Sequence, residues 1–161
     1  MSLVARIQDL VDKLSRWLAF LPPAAARVVL GYVFLTSGWG KLHSLDQVTE
    51  YFAQLGIPAP AIQAAFVSGV EFFGGILLLA GLLTRVASFM LACTMTVALF
   101  TGVRDKIHGF DDLTGQIEFL YLLLLVWLTI AGAGILSIDA WLSRLIRRRG
   151  EPARSAAAAS V

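Results

Sequence analysis

The sequence predicts an all-α integral membrane protein: a four-helix bundle with an N-terminal amphipathic interfacial helix and a short C-terminal basic helix. Three observations lead there. Of 161 residues, 58% are hydrophobic and 15% charged, whereas a soluble domain carries about 25% charged residues. Apolar stretches long enough to cross a hydrocarbon core of about 30 Å recur along the chain. One of them, Ala61–Leu83, encloses a single carboxylate, Glu71. A charge at that depth costs roughly 2.5–3.5 kcal/mol on insertion scales, so it must be neutralised, paired or turned to a wet cavity.

Residues 1–23 form the first unit. Leu3, Ile7, Leu10, Leu14 and Trp17 or Leu18 recur at three- and four-residue steps, with Arg6, Asp9, Asp12, Lys13 and Arg16 largely elsewhere. This helix is too charged to span, and its apolar stripe suits the membrane surface or a soluble partner. Its alternation of polar and apolar positions also lacks the uninterrupted core of a secretory signal. Pro22-Pro23 ends it and opens the next helix, where proline is tolerated in the first turn.

Residues 24–141 form the membrane unit. Span one covers about 24–43, with Arg27 able to snorkel to one interface and Trp39 to anchor at the other. Gly31, Phe34, Ser37/Gly38 and Lys41 form one stripe of it. Residues 44–60 are a polar connector in which Gln47–Leu55 can form a short surface helix, closed by Gly56-Ile57-Pro58-Ala59-Pro60. Span two is 61–83. Ser68, Gly74 and Gly75 surround Glu71 at helical spacing, and small residues let a neighbouring helix approach closely. A very short turn at Leu83-Thr84-Arg85-Val86 makes spans two and three (86–103) an antiparallel hairpin. Thr94 and Thr101 share a face of span three. After the polar loop 104–115, span four is 116–136, with Glu118 near its start and Tyr121 a turn later. Ser137 is placed as the N-cap of a last helix, Ile138–Arg149, so that 142–161 reads as a basic cytoplasmic helix and a disordered tail.

Four spans put both termini on one side. Arg6, Lys13, Arg16, Arg27, Arg85, Arg144, Arg147, Arg148, Arg149 and Arg154 fall on that side, and only Lys41, Arg104 and Lys106 on the other. The positive-inside rule makes the termini cytoplasmic. The ionisable residues in or beside the spans, apart from Arg27, Arg85 and Asp139, then gather in the outer half. The expected result is a polar pocket there, in which Lys41 reaches down to Glu71 and Arg104 pairs with Glu118 at the rim. Whether the Lys41–Glu71 pair is functional or only locks two helices stays open at this level.

Other chemistries find little support. The single cysteine, Cys93, permits no intrachain disulfide or dithiol and reads as an inert packing residue. His43 and His108, weak metal candidates, are 65 positions apart with no ligand spacing. Gly74-Gly75 and Gly132-x-Gly134 lack the context of a phosphate loop. The basic residues Arg144–Arg149 suit anionic headgroups rather than nucleic acid.

Four stretches in order, Gly31…Gly38-Trp-Gly-Lys41, Glu71-Phe-Phe-Gly74-Gly75, Gly81-Leu-Leu-Thr84-Arg85 and Gly132-Ala-Gly134-Ile-Leu-Ser137-Ile-Asp139, resemble the DoxX family of small bacterial four-helix membrane proteins. The resemblance runs from about Arg27 to Trp141. It implies an inner-membrane protein, multi-pass, with some relatives acting as small subunits of a thiosulfate:quinone oxidoreductase and others associating with membrane redox or detoxification complexes. It implies too that Lys41 and Glu71 occupy the family's charged positions.

The resulting expectation is a small subunit of a quinone-linked redox complex, an oxidoreductase subunit without a redox cofactor of its own. Lys41 would contact a quinone oxygen and Glu71 relay a proton, in a pocket of Phe34, Ser37, Trp39, Phe72, Thr101, Arg104, Glu118 and Tyr121. The partners would be the lipid bilayer and a partner subunit of that complex, with homo-oligomerisation open and no nucleic acid. The alternatives are a non-catalytic membrane anchor or scaffold for a partner protein, and a small-solute transporter. The transporter is disfavoured by the lack of broken helices or an internal repeat.

Overall fold

A computed structural model describes residues 3–134 and 137–142. Among these residues the protein is all-α. Helix α1 is Leu3–Leu18, α2 Leu21–His43, α3 Leu45–Gln54, α4 Pro60–Ala80 and α5 Thr84–Thr101. A 3₁₀ turn at Arg104–Lys106 and the short α6, Phe110–Gly115, interrupt the polar loop before α7, Ile117–Ala131. A further helical segment begins at Ile138. The Ser137 hydroxyl accepts the N–H of Ala140 at 3.1 Å, as an N-cap does. The rest of the expected basic helix and tail lies outside the described residues.

Local chemistry explains where the helices stop. Pro22 and Pro23 lie inside the first turn of α2 and so begin that helix at Leu21, three residues before the expected boundary. Span two ends at Ala80 rather than Leu83, because Gly81 turns left-handed at φ 65°. Leu83 is left-handed too, at φ 48°, and α5 starts directly behind it. Span four is shorter than expected, since Gly132 takes φ 81° and ends α7 at Ala131.

Among the described residues α4 and α5 are each long and apolar enough to cross a membrane. α2 is longer, at 23 residues, but carries Arg27, Lys41 and His43. α7 is strongly apolar but has 15 residues, about 22 Å of helix.

α2 packs most extensively on α4, and α5 on α7, while the two pairs touch each other more sparsely. Leu30 of α2, Leu78 of α4, Leu91 of α5 and Leu125 and Leu128 of α7 are fully buried and knit the pairs together. They lie toward the end of the helices that carries the tight α4–α5 turn. Toward the other end the pairs diverge, and α3 packs across α4 there. α1 makes no extensive contact with the other helices, and Leu10, Leu14 and Trp17 remain exposed.

Candidate functional site

The α2–α4 contact is built on glycine. A methyl group at Gly38 would run into the backbone of Phe72, and one at Gly75 into the backbone of Leu35. With no side chain at either position, the two backbones close to direct contact, as small residues permit between membrane helices. That approach carries Lys41 on α2 to Glu71 on α4. Lys41 Nζ lies 2.5 Å from Glu71 Oε1, and the Ser37 hydroxyl donates to Oε2 at 2.8 Å. Each carboxylate oxygen thus has its own donor, which a carboxylate 1% exposed requires. Ser68, a turn away, takes no part: its hydroxyl bonds the Ala64 carbonyl at 2.6 Å.

The cluster forms part of the wall of a cavity of about 710 Å³, where the two helix pairs diverge. Of the residues singled out in the sequence, Phe34, Ser37, Lys41, Glu71, Thr101, Glu118 and Tyr121 line it. Phe34 and Tyr121 meet edge to face at 5.9 Å. The other three expected members lie outside the lining. Trp39 is 56% exposed and stacks on His43 at 4.1 Å and on Phe72 at 5.6 Å, on the outer flank of the α2–α4 pair. Arg104 sits exposed in the 3₁₀ turn, and among the described residues no ion pair joins it to Glu118. Close to water the penalty that forces two charges together is small, so nothing compels that pair.

Sequence reasoning missed the role of α3. Gln47, Val48, Tyr51, Phe52 and Leu55 line the same cavity and roof its open end. The amphipathic spacing of 45–54 suits a surface helix equally well, so only tertiary packing could assign it. Cys93 is likewise not a packing residue. It is exposed on the cavity wall, on α5, where Thr94 and Thr101 also line the cavity. Among the described residues no three His, Cys, Asp or Glu side chains gather as a metal site would require. His43 bonds the Trp39 carbonyl at 2.9 Å, and His108 stands 3.9 Å from Asp112.

A second polar cluster occupies the opposite end. Asp139 accepts the N–H of Leu83 at 2.8 Å and of Thr84 at 3.0 Å through its two carboxylate oxygens, and its own N–H bonds the Gly81 carbonyl at 3.0 Å. A residue remote in sequence therefore caps α5. Arg27, expected to reach toward one interface, is enclosed by protein at the end of the bundle that carries the α4–α5 turn. It is 5% exposed, its guanidinium lying over Gly81 where a Cβ would collide with it, with Asp139 as a nearby counter-charge.

The four stretches singled out in the sequence thus resolve into two contacts. The glycine-lysine stretch of α2 meets the glutamate-glycine stretch of α4, and the α4–α5 turn meets the segment after α7. A family model described as DoxX matches residues 23–104, which contain the whole first contact and the turn of the second.

The chain belongs to the DoxX family.

Its DoxX relatives include CatD of Bacillus subtilis (strain 168), provisionally named an oxidoreductase, 31% identical over 115 residues, which are 70% of this chain and 81% of CatD. The inner membrane protein YqjF of Escherichia coli (strain K12) is 27% identical over 119 residues, 74% of this chain and 90% of YqjF. Rv3486 of Mycobacterium tuberculosis (strain ATCC 25618 / H37Rv), an uncharacterised membrane protein by name, is 34% identical over 136 residues, 76% of this chain and 83% of its own. No solved structure matches the chain significantly.

Proposed function

We propose that this DoxX-family protein is a multi-pass inner-membrane subunit of a redox complex and that its cavity receives the headgroup of a quinone. The observation that carries the reading is the Lys41–Glu71–Ser37 cluster set in the wall of an otherwise largely apolar cavity of about 710 Å³. Small-molecule sites have this character: roughly 300–1,000 Å³, mainly apolar, with a few convergent polar groups. Helices α2, α4, α5 and α7 would cross the bilayer with both termini cytoplasmic, following the bias of lysine and arginine. The cavity then lies in the outer half.

The residues present suit a quinone. The Lys41 side chain is 34% exposed and an ammonium has three protons, so Nζ can hold Glu71 and still donate to a carbonyl oxygen. Glu71, reached through Lys41 and Ser37, can hold or pass a proton. Phe34 and Tyr121 offer a ring edge and face to a flat headgroup. A bound quinone would supply the two-electron chemistry. The membrane-protein names of YqjF and Rv3486 and the provisional name of CatD support the reading.

Purified protein in lipid nanodiscs tests it. Quinone binding, lost in Lys41→Met, is the expected result, and its absence in the unaltered chain overturns the reading.

One feature favours a second reading, a non-catalytic anchor for a partner. α1 presents Leu10, Leu14 and Trp17 to the outside, and among the described residues no helix packs extensively on it. On that reading, Lys41→Met with Glu71→Gln leaves partner pull-down intact, while Leu10→Asp with Leu14→Asp in α1 abolishes it.

A further inference from the structure

The cavity does not end at its charged wall. A second hollow of about 360 Å³ lies along the α4–α5 seam and shares Phe66, Val70 and Met90 with the first. All its lining residues are apolar. Its floor on α4 runs from Ala65 to Leu77, about 18 Å of helix, from beside the headgroup cavity toward the tight turn. Gly69 leaves it unfilled: a methyl group built there would have no atom within 4 Å. The flanks, Phe66, Phe73 and Val86, are each more than half exposed, so the groove opens sideways where α4 and α5 would meet lipid. Val70, on the ridge between the two hollows, is the residue before Glu71.

We propose that the cavity is entered laterally from the bilayer between α4 and α5, by a single-tailed amphiphile whose polar head reaches Lys41 and Glu71 and whose hydrocarbon tail lies in the Ala65–Leu77 groove. The inference rests on the reading of the Lys41–Glu71 cavity as a headgroup site. It adds a tail site, a route and a ligand class: a prenyl quinone or a single-chain lipid, both sharing a hydrogen-bonding head and one apolar tail. Continuity distinguishes this occupant from a docked helix. A helix would lie along the groove without entering the cavity, whereas one flexible tail can pass the Phe66–Val70–Met90 ridge while its head sits beyond it. In a bilayer the tail is already in an apolar medium, so the groove selects by shape rather than by removal from water.

Binding of decylubiquinone and of its tail-less parent quinone is measured on the full chain in nanodiscs, for the natural sequence, Gly69→Trp, Gly69→Leu and Lys41→Met. Position 69 is helical and a Cβ there meets no atom within 4 Å, so both substitutions extend from an unstrained Cβ into the groove. The expected result is decylubiquinone binding about tenfold weaker in Gly69→Trp, as overfilling an apolar site typically costs, less so in Gly69→Leu, with the tail-less quinone unaffected and Lys41→Met weakening both. If neither quinone binds, native mass spectrometry finding a co-purified single-chain lipid that Gly69→Trp displaces upholds the tail site while the quinone reading falls. Unchanged decylubiquinone binding in Gly69→Trp, with loss in Lys41→Met, overturns the tail site and leaves the headgroup site standing. A change of oligomeric state in Gly69→Trp with quinone binding intact overturns it too, assigning the groove to a second copy. Finding neither quinone nor co-purified lipid overturns both.

Discussion

Lys41 and Glu71 meet at 2.5 Å, yet they sit in different surroundings: the lysine side chain is 34% exposed and the glutamate side chain 2%. The pair is therefore asymmetric. Lys41 can turn toward the cavity mouth if its partner is lost, whereas Glu71 has nowhere to go.

Removing the lysine should cost more than neutralising the acid. Lys41→Met leaves a buried carboxylate with Ser37 as its one remaining donor, and breaking a buried pair in this way costs about 3–5 kcal/mol. Glu71→Gln keeps an acceptor for Lys41 and Ser37 and should cost about 1 kcal/mol, the scale of a net hydrogen bond. The double variant should recover most of the Lys41→Met loss. Thermal unfolding in detergent, read as a double-mutant cycle, measures all three.

The α2–α4 contact should tolerate no side chain at Gly75. Gly75→Val must push the Leu35 backbone aside, and since backbone cannot swing away, the helices separate. Overpacking of this kind costs about 1–3 kcal/mol, and it should weaken any ligand of the cavity by moving Lys41 off Glu71. Gly40, with open space around it, is the control: Gly40→Ala should be neutral or slightly stabilising.

Asp139 should behave as a helix cap supplied from a distance. Asp139→Ala removes the acceptors of the Leu83 and Thr84 N–H groups and should cost about 1–2 kcal/mol, as loss of an N-cap does. Asp139→Asn retains a carbonyl oxygen and should cost less. Hydrogen exchange at the first turn of α5 should rise in the alanine variant, with the Lys41 end unaffected.

Cys93, the single cysteine of the chain, reports on the cavity directly. It is exposed on the wall, so a lipid-soluble maleimide should label it in nanodiscs, and a bound quinone should slow that labelling. Mass spectrometry of the intact protein counts the adduct. Failure to label would place the thiol out of reach of the cavity.

Arg104→Ala should change little. Its side chain is exposed and joined to no carboxylate among the described residues, and surface substitutions of this kind stay within about 0.5 kcal/mol. A loss well beyond that in thermal unfolding would restore the rim pair with Glu118.

Composition and residue spacing were enough to read a helical, membrane-type chain and to bring Lys41 to Glu71. They sufficed because a carboxylate inside an apolar stretch must be compensated, and the stripe of small residues leading to Lys41 named the helix that could reach it. Where no such penalty applied, the sequence was silent or misled: Arg104 and Glu118 stand near water and do not pair. The sequence pattern points Trp39 and Phe72 to the pocket, yet they lie outside its lining, because in an apolar helix the lipid-facing and cavity-facing sides carry the same residue types. The structure alone decided that α3 roofs the cavity and that Asp139 caps the α4–α5 turn. It alone buried Arg27 over Gly81 and joined the headgroup cavity to a lateral groove. Each of these depends on contacts between elements remote in sequence. They are the backbone approach at Gly38 and Gly75, the leucine packing toward the tight turn and the docking of Asp139 on it. No one helix records any of them in its own pattern.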